Sequence, residues 1–232
     1  LAHQKVLLDE RWLASLLSNN PQAPTENRAS IPTANRDWGD ALSVSAFYGR
    51  EAELEQLTQW VLQDRCRVIG VLGQGGIGKS ALTVSLMRQV AEHFDVVIWR
   101  SLRDAPPCEA LLDGCLRVLG SQLQLQATNN LEGRLQLLVE YLRGQRALIL
   151  LDNLESILEE GEVTGQMRAG YEDYEKLLRW VGETEHQSCL LLTSREKPIQ
   201  LVTLEGNQST VRTLRLTRLE SEPCERLLAE KG

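Results

Sequence analysis

"RVIGVLGQGGIGKS", residues 67–80, joins a short apolar stretch to a glycine-rich run that ends in a lysine and a serine. Its last eight residues match the pattern GxxxxGK[ST], and a helical pattern follows them. Glycines let the backbone curl so that successive N–H groups, roughly those of Gly76 to Ala81, point at phosphate oxygens. The start of the next helix adds the positive end of its dipole. The stretch therefore predicts a phosphate-binding loop between a strand and a helix.

Outside this loop, short apolar strands alternate with helical stretches. That alternation indicates a mostly parallel sheet with helices on both faces. We therefore predict an α/β fold of the P-loop NTPase type with a five-stranded sheet. The predicted strands are 67–72, 95–101, 147–152, 189–194 and 211–216, and the predicted helices are 51–63, 79–92, 107–125, 131–144, 171–182 and 221–230.

The sequence predicts that the chain has three parts. Residues 5–18 carry a helical apolar stripe, so 1–18 is predicted to end an upstream helical domain. Residues 19–40 contain three prolines and little to bury, which predicts a linker. The nucleotide-binding domain is predicted over 41–232, with 155–175 as an acidic surface excursion. The two ends of the sequence suggest a piece of a longer protein.

Composition narrows the class of protein. Of 232 residues, 42% are hydrophobic and 25% are charged, with a net charge of −7. That charge argues against a nucleic-acid-binding surface, and no apolar run reaches the length of a membrane span. Five widely spread cysteines form no CxxC pair, and the three histidines have no metal-ligand spacing. These features predict a cytoplasmic protein with reduced thiols.

Within the loop, Lys79 is expected to reach the β- and γ-phosphates, and the Ser80 hydroxyl to ligate Mg²⁺. "LILLDNLE", residues 148–155, places Asp152 at the tip of an apolar strand, where it would hold the same Mg²⁺ through water. Asn153 stands where many nucleotide hydrolases have a second acid. An amide orients water but cannot accept its proton. If the chain stays extended, Glu155 lies on the side of Asn153, about 6–7 Å further out, as a stand-in base.

Two arginines complete the predicted site. Arg195 follows another apolar strand, where a γ-phosphate sensor would lie, and arginine suits phosphate oxygens. Arg50 and the backbone near Tyr48 precede the first helix of the domain and can clamp a base or sugar. Taken singly, each arginine fits a solvated side chain as well.

Taken in order, six motifs resemble NB-ARC nucleotide-binding domains, which belong to the STAND class of signalling ATPases. Apoptotic protease-activating factors and plant resistance proteins are members of that class. The residues of these motifs are most similar to those of bacterial NB-ARC proteins with a C-terminal WD-repeat propeller. The resemblance covers about residues 41–232. The motifs are "FYGRE" (47–51), "GQGGIGKS" (73–80), "FDVVIWRSL" (94–102), "LILLDNLE" (148–155), "CLLLTSRE" (189–196) and "LRLTRLE" (214–220).

The resemblance implies a switch in which ADP holds a resting state and ATP permits assembly into homo-oligomers of the activated full-length protein. It implies lid and C-terminal sensor segments beyond this chain and an upstream effector domain. It also implies that Arg50 contacts nucleotide and that Arg195 is the sensor arginine. The predicted contacts to ADP or ATP are Tyr48, Arg50, Gly73, Gly75, Gly76, Ile77, Gly78, Lys79, Ser80 and Ala81. The predicted catalytic residues are Lys79, Asp152, Asn153, Glu155 and Arg195. The predicted Mg²⁺ ligands are Ser80 and Asp152.

Three functions are compatible with the sequence. The first is a regulatory ATPase that hydrolyses slowly and signals through its nucleotide state. The second is a P-loop enzyme with steady turnover, such as a small-molecule kinase, for which Glu155 is the one candidate base. The third is an AAA-like, ATP-dependent DNA-binding regulator, which the acidic charge disfavours. We take the regulatory ATPase as the leading hypothesis.

Overall fold

A computed structural model describes residues 35–39, 41, 49–120, 130–159, 165–206 and 209–218. The predicted helices at 5–18 and 221–230 lie outside these residues. The described strands are β1 (Asn35–Asp37), β2 (Val68–Leu72), β3 (Val96–Ser101), β4 (Ala147–Asp152), β5 (Cys189–Ser194) and β6 (Val211–Arg215). The described α-helices are α1 (Glu51–Leu62), α2 (Lys79–Val90), α3 (Cys108–Leu119), α4 (Leu131–Gly144), α5 (Asp173–Glu183) and α6 (Ile199–Leu204). Two 3₁₀ helices span Ala91–His93 and Leu154–Ile157.

All six strands pair in parallel, in the order β1-β3-β4-β5-β2-β6. Strands β2, β4 and β5 are buried along their whole length, which explains why they read as continuous apolar runs. The chain leaves β2 through α2 and returns at β3, three strands away, with β5 and β4 between them. In such sheets, ligands bind where neighbouring connections diverge, at the carboxyl ends of the strands.

Helices cover both faces of the sheet, as predicted. On β4, Ile149 and Leu151 belong to one apolar cluster with the buried faces of α3, α4 and α5. The alternate residues Leu148 and Leu150 are equally buried but lie outside that cluster. Because side chains alternate along a strand, these two leucines face the opposite layer.

The prediction of five strands was wrong by one. β1 lies inside the segment predicted as a linker and pairs with β3, from Asn35 beside Val96. Its three polar residues show no apolar alternation, so pattern could not reveal it. Tertiary partners hold it instead: Arg100 donates to Asp37 at 2.7 Å, and Asn35 donates to the Val118 carbonyl at 2.7 Å. The Arg100 hydrogen bond lowers the pKa of the Asp37 carboxyl.

The acidic stretch 155–175 is not purely a surface excursion. Ile157, Leu158, Met167 and Tyr174 are buried in the core cluster, and Leu158 forms an antiparallel bridge with Met167. The pattern did not reveal Ile157, Leu158 and Met167, because one short apolar pair and a single methionine stand among polar and glycine residues. Across the described residues, no helix is both long and apolar enough to cross a membrane.

Candidate functional site

The glycine-rich loop leaves β2 at the carboxyl edge of the sheet and enters α2. Gly73 donates to the Ser194 carbonyl at 3.1 Å, which fixes the start of the loop against β5. Gly76 and Gly78 have φ of 75° and 98°, the left-handed region that glycine adopts without strain. Gly78 is the N-cap of α2 and offers no capping side chain. The first N–H groups of α2 therefore face the loop, as an anion-binding site requires.

Lys79 is buried against its own loop, with 7% of its surface exposed. Its ammonium donates to the carbonyls of Gly73 at 2.8 Å and Gln74 at 3.2 Å. Burial lowers the pKa of Lys79, and the negative charge of Glu155 opposes that shift. A cation that is partly desolvated at the mouth of an open loop is suited to an anionic ligand.

Ser80 and Asp152, the two predicted Mg²⁺ ligands, lie in contact with each other. The Ser80 hydroxyl donates to Asp152 Oδ1 at 2.8 Å, and Thr193 donates to the same oxygen at 2.5 Å. Two oxygens at this spacing match neighbouring ligands of octahedral Mg²⁺, which lie about 3 Å apart for bonds of about 2.1 Å. Both could also reach the ion through water.

Thr193 is a positioning residue absent from the predicted site. It lies on β5 beside the end of β4, and it also accepts the Asn153 N–H at 2.8 Å. Its hydroxyl thus holds both Asp152 and the backbone that follows. The only sequence signal was a polar residue after three leucines, which many strands share.

Arg50 lies against the loop and is 4% exposed. It donates to the carbonyls of Thr217 at 2.5 Å and Ile77 at 3.5 Å and pairs with Glu53 at 2.7 Å. Its buried Nε has no hydrogen-bond partner among the described residues. Tyr48, its predicted neighbour in the clamp, lies outside those residues.

The chain does not stay extended after Asp152, so the condition under which Glu155 would lie on the side of Asn153 is not met. Asn153 adopts φ 72° and ψ 47°, a left-handed conformation that asparagine tolerates, and a 3₁₀ turn follows. The Asn153 amide donates to Ser156 Oγ at 2.5 Å and thereby stabilises the turn. The turn brings Glu155 to the site by another route.

Glu155 forms an ion pair with Arg195 at the mouth of the loop, with 3.2 Å between Oε1 and Nε. The Arg195 guanidinium lies over Gly75, where an added Cβ would come within 3.1 Å of Nη2. The sheet thus brings together the loop, Asp152, Glu155 and Arg195. The first and last of these residues, Gly73 and Arg195, are 122 positions apart in the sequence.

The arrangement fits a nucleotide phosphate with Mg²⁺. Added Cβ atoms at Gly76 and Gly78 would meet no described atom within 4 Å, so the space beside the loop at these two glycines is open. Lys79 and the start of α2 supply positive charge to that space, and the orphaned Arg50 Nε adds an unused donor nearby. Ser80 and Asp152 supply oxygen ligands, which Mg²⁺ prefers.

The family model described as the NB-ARC domain matches residues 50–232. The chain belongs to the NB-ARC family. As an NB-ARC domain it is a nucleotide-binding domain.

Relatives of this NB-ARC chain include proteins from a cyanobacterium and a plant. An uncharacterized WD repeat-containing protein of Nostoc sp. is 46% identical over 204 residues, covering 84% of this chain. A protein of Arabidopsis thaliana named "Probable disease resistance protein" is 24% identical over 157 residues, covering 66% of this chain. The chain spans 16% of the length of each.

Solved structures share the fold. The Orc1 protein of Aeropyrum pernix, in complex with DNA, superposes with a TM-score of 0.52 at 17% identity, covering 81% of this chain and 50% of that one. The Drosophila ORC, bound to DNA, has a TM-score of 0.55 at 20% identity, with coverages of 80% and 47%. At these identities the likeness concerns the fold alone.

Proposed function

We propose that this NB-ARC chain is a nucleotide-dependent switch that binds ADP or ATP with Mg²⁺ and hydrolyses ATP slowly. The observation that carries the proposal is the Ser80–Asp152 contact of 2.8 Å beside a buried Lys79 and an open glycine loop. Lys79 and the loop amides bind the phosphates, and Ser80 and Asp152 hold the metal. When bound, Mg²⁺ neutralises phosphate charge and so assists the transfer to water.

Slow hydrolysis follows from the residues beside Asp152. Asn153 cannot accept a proton, and its amide is engaged with Ser156. Glu155 is an acid that can take the proton of an attacking water, but it lies in the turn after Asn153 rather than directly after Asp152. A site that binds well and reacts slowly gives an ATP state that lasts long enough to recruit partners. The arrangement therefore supports a timer more than a steady turnover enzyme.

The whole protein's partners are part of the same proposal. The WD-repeat relative supports a C-terminal sensor, and the family supports an upstream effector and homo-oligomers after activation. A cytoplasmic setting is supported by Cys66, Cys108, Cys115 and Cys189, which are free and buried. The alternative, a DNA-binding regulator, draws no support from the Orc1 likeness, because that likeness concerns the fold.

Calorimetry with Mg²⁺–ADP and a non-hydrolysable Mg²⁺–ATP analogue tests the proposal. Lys79→Ala should lower affinity for both by roughly 10- to 100-fold, since hydrogen bonds to charged groups contribute about 1.5–3 kcal/mol. Lys176→Ala, which removes an exposed lysine from α5, is the matched control and should bind like the wild type. Equal affinities in the wild type and Lys79→Ala would contradict the assignment.

A further inference from the structure

The Glu155–Arg195 pair is asymmetric in its freedom to move. The Glu155 side chain is 16% exposed and is held in the 3₁₀ turn, whereas the Arg195 side chain is 62% exposed. One carboxylate oxygen of Glu155 meets Arg195, and the other is buried without a hydrogen-bond partner among the described residues. Arg195 is therefore the partner that can leave, and Glu155 is the partner that stays.

Both members of the pair face the phosphate site. Arg195 lies over Gly75, at the tip of the loop. Glu155 acts electrostatically on Lys79, where its charge raises the pKa that burial lowers. The Glu155 carboxylate thus acts on two cations, Arg195 and Lys79, at the place where a terminal phosphate would bring further negative charge.

Magnitudes decide which anion Arg195 takes. An ion pair with an exposed partner changes an equilibrium by about 1.4- to 5-fold. A hydrogen bond to a charged group changes it by about 10- to 100-fold. A phosphate oxygen within reach of Arg195 therefore outcompetes Glu155.

We propose that Arg195 exchanges partners between Glu155 and the terminal phosphate, so that Glu155 stays blocked with ADP and is released by ATP. The proposal rests on the proposed function and deepens it, because one side chain would both sense ATP and free the base. Once freed, Glu155 accepts a proton from the attacking water, whose oxygen bonds the γ-phosphorus. The bond to the bridging oxygen breaks, and its electron pair leaves with ADP. Arg195 then returns to Glu155.

The ratio of the affinities for the Mg²⁺–ATP analogue and Mg²⁺–ADP tests this exchange without reference to activity. Glu155→Gln removes the competitor for Arg195 and should raise the ratio about 1.4- to 5-fold. Arg195→Gln should lower it about 10- to 100-fold, with ADP affinity within about twofold of the wild type. Glu159→Gln and Arg179→Gln, both at exposed positions, should leave it unchanged.

The double variant Glu155→Gln/Arg195→Gln closes the cycle. Without Arg195, the Glu155 substitution should have a smaller effect than it has with Arg195 present, so the double variant should lie closer to Arg195→Gln than additivity predicts. A Glu155→Gln ratio that is unchanged or lower than the wild type would overturn the exchange. If Glu155→Gln fails to fold, Glu155→Asp, whose shorter side chain draws the carboxylate away from Arg195, should shift the ratio in the same direction.

The same titrations separate the two proposals. Loss of Lys79-dependent binding to either nucleotide in the wild type would sink the proposed function, and the exchange with it. Binding that depends on Lys79 but gives a flat ratio across the Glu155 variants would sink the exchange alone.

Discussion

The amino edge and the carboxyl edge of the sheet both carry basic side chains, but these side chains have different roles at the two edges. At the amino edge, arginines meet the carbonyls where helices finish: Arg67 donates to Thr184 at 2.6 Å, Arg143 to Glu185 at 3.1 Å, and Arg146 to Val61 at 3.3 Å. At the carboxyl edge, Lys79 begins α2 and Arg195 lies over Gly75, and the space beside the glycine loop is open. At the amino edge these arginines bond to carbonyls of the chain itself, although Arg146 Nε has no hydrogen-bond partner among the described residues. At the carboxyl edge there is room for the charge of a ligand.

Helix direction explains the difference. In a parallel α/β fold, connecting helices end at the amino edge of the sheet and begin at its carboxyl edge. Helix C-termini carry partial negative charge, so arginines there stabilise the fold. Helix N-termini carry partial positive charge, so cations placed beside them add to a positive potential that favours an anionic ligand. An arginine beside a helix C-terminus at the amino edge therefore stabilises the fold, whereas an arginine beside a helix N-terminus at the carboxyl edge can bind an anionic ligand.

The largest effect should come from the acid at the carboxyl edge. Under the proposed function, Glu155→Gln should slow single-turnover ATP hydrolysis by roughly 10²–10⁴-fold, the usual contribution of a general base. Rapid-quench measurement at saturating Mg²⁺–ATP would report it. Glu159→Gln, in the same segment and exposed, is the control. An unchanged rate in Glu155→Gln would remove Glu155 from the chemistry.

Two serines, one at each edge, sharpen the comparison with effects of intermediate size. Ser188 at the amino edge accepts the Ala147 N–H at 2.9 Å and donates to the Leu142 carbonyl at 2.9 Å, all buried. Ser188→Ala should lower the free energy of unfolding by about 1–3 kcal/mol, since it leaves buried groups unpaired. Its nucleotide affinity should match that of the wild type.

Ser80→Ala at the carboxyl edge should show the reverse. Its unfolding free energy should change by about 1 kcal/mol or less, because it loses one partly buried hydrogen bond to Asp152. Its Mg²⁺-dependent nucleotide affinity should fall by about tenfold or more. Urea unfolding and calorimetry of the two variants test the pair. If both variants lost stability equally and binding equally, the division between the edges would be wrong.

The smallest effect concerns pH and the amino edge. His186 Nε2 lies 2.9 Å from the Val181 carbonyl, and Nδ1 accepts the Ser188 N–H at 3.2 Å, so the ring is neutral. Burial lowers the pKa of His186, and the charges of Arg67 and Arg143 lower it further. The unfolded chain, with a histidine pKa of about 6.5, then binds the proton first.

Stability should therefore fall as pH drops through 6.5 towards the folded-state pKa of His186, by at most about 1.4 kcal/mol per pH unit. The free energies of unfolding of the wild type and of His186→Gln at pH 7.5 and 5.5 measure this dependence. The substitution should reduce the loss of stability between the two pH values. A residual dependence is expected from His93, whose pKa burial also lowers. An identical pH dependence in both proteins would contradict the assignment to His186.

The predictability of the elements follows their burial. Strand β4 and helix α4 begin and end at the predicted residues, since a buried strand and an amphipathic helix each leave a pattern in sequence. β1 and α6 left none: β1 is polar, and α6 is a six-residue helix with Ile199 and Val202 exposed. Such short elements form through their tertiary partners.

The sequence by itself determined the phosphate-binding loop and the αβ alternation, because both depend on local chemistry: glycines that permit positive φ, and apolar residues at the period of the element. It also determined which residue types end the strands. Only the tertiary structure decided how those ends meet. The left-handed Asn153 turned Glu155 towards Arg195, and Thr193 fixed Asp152 from a neighbouring strand. Contacts between residues some 40 positions apart depend on strand order and turn geometry, and a one-dimensional pattern carries neither.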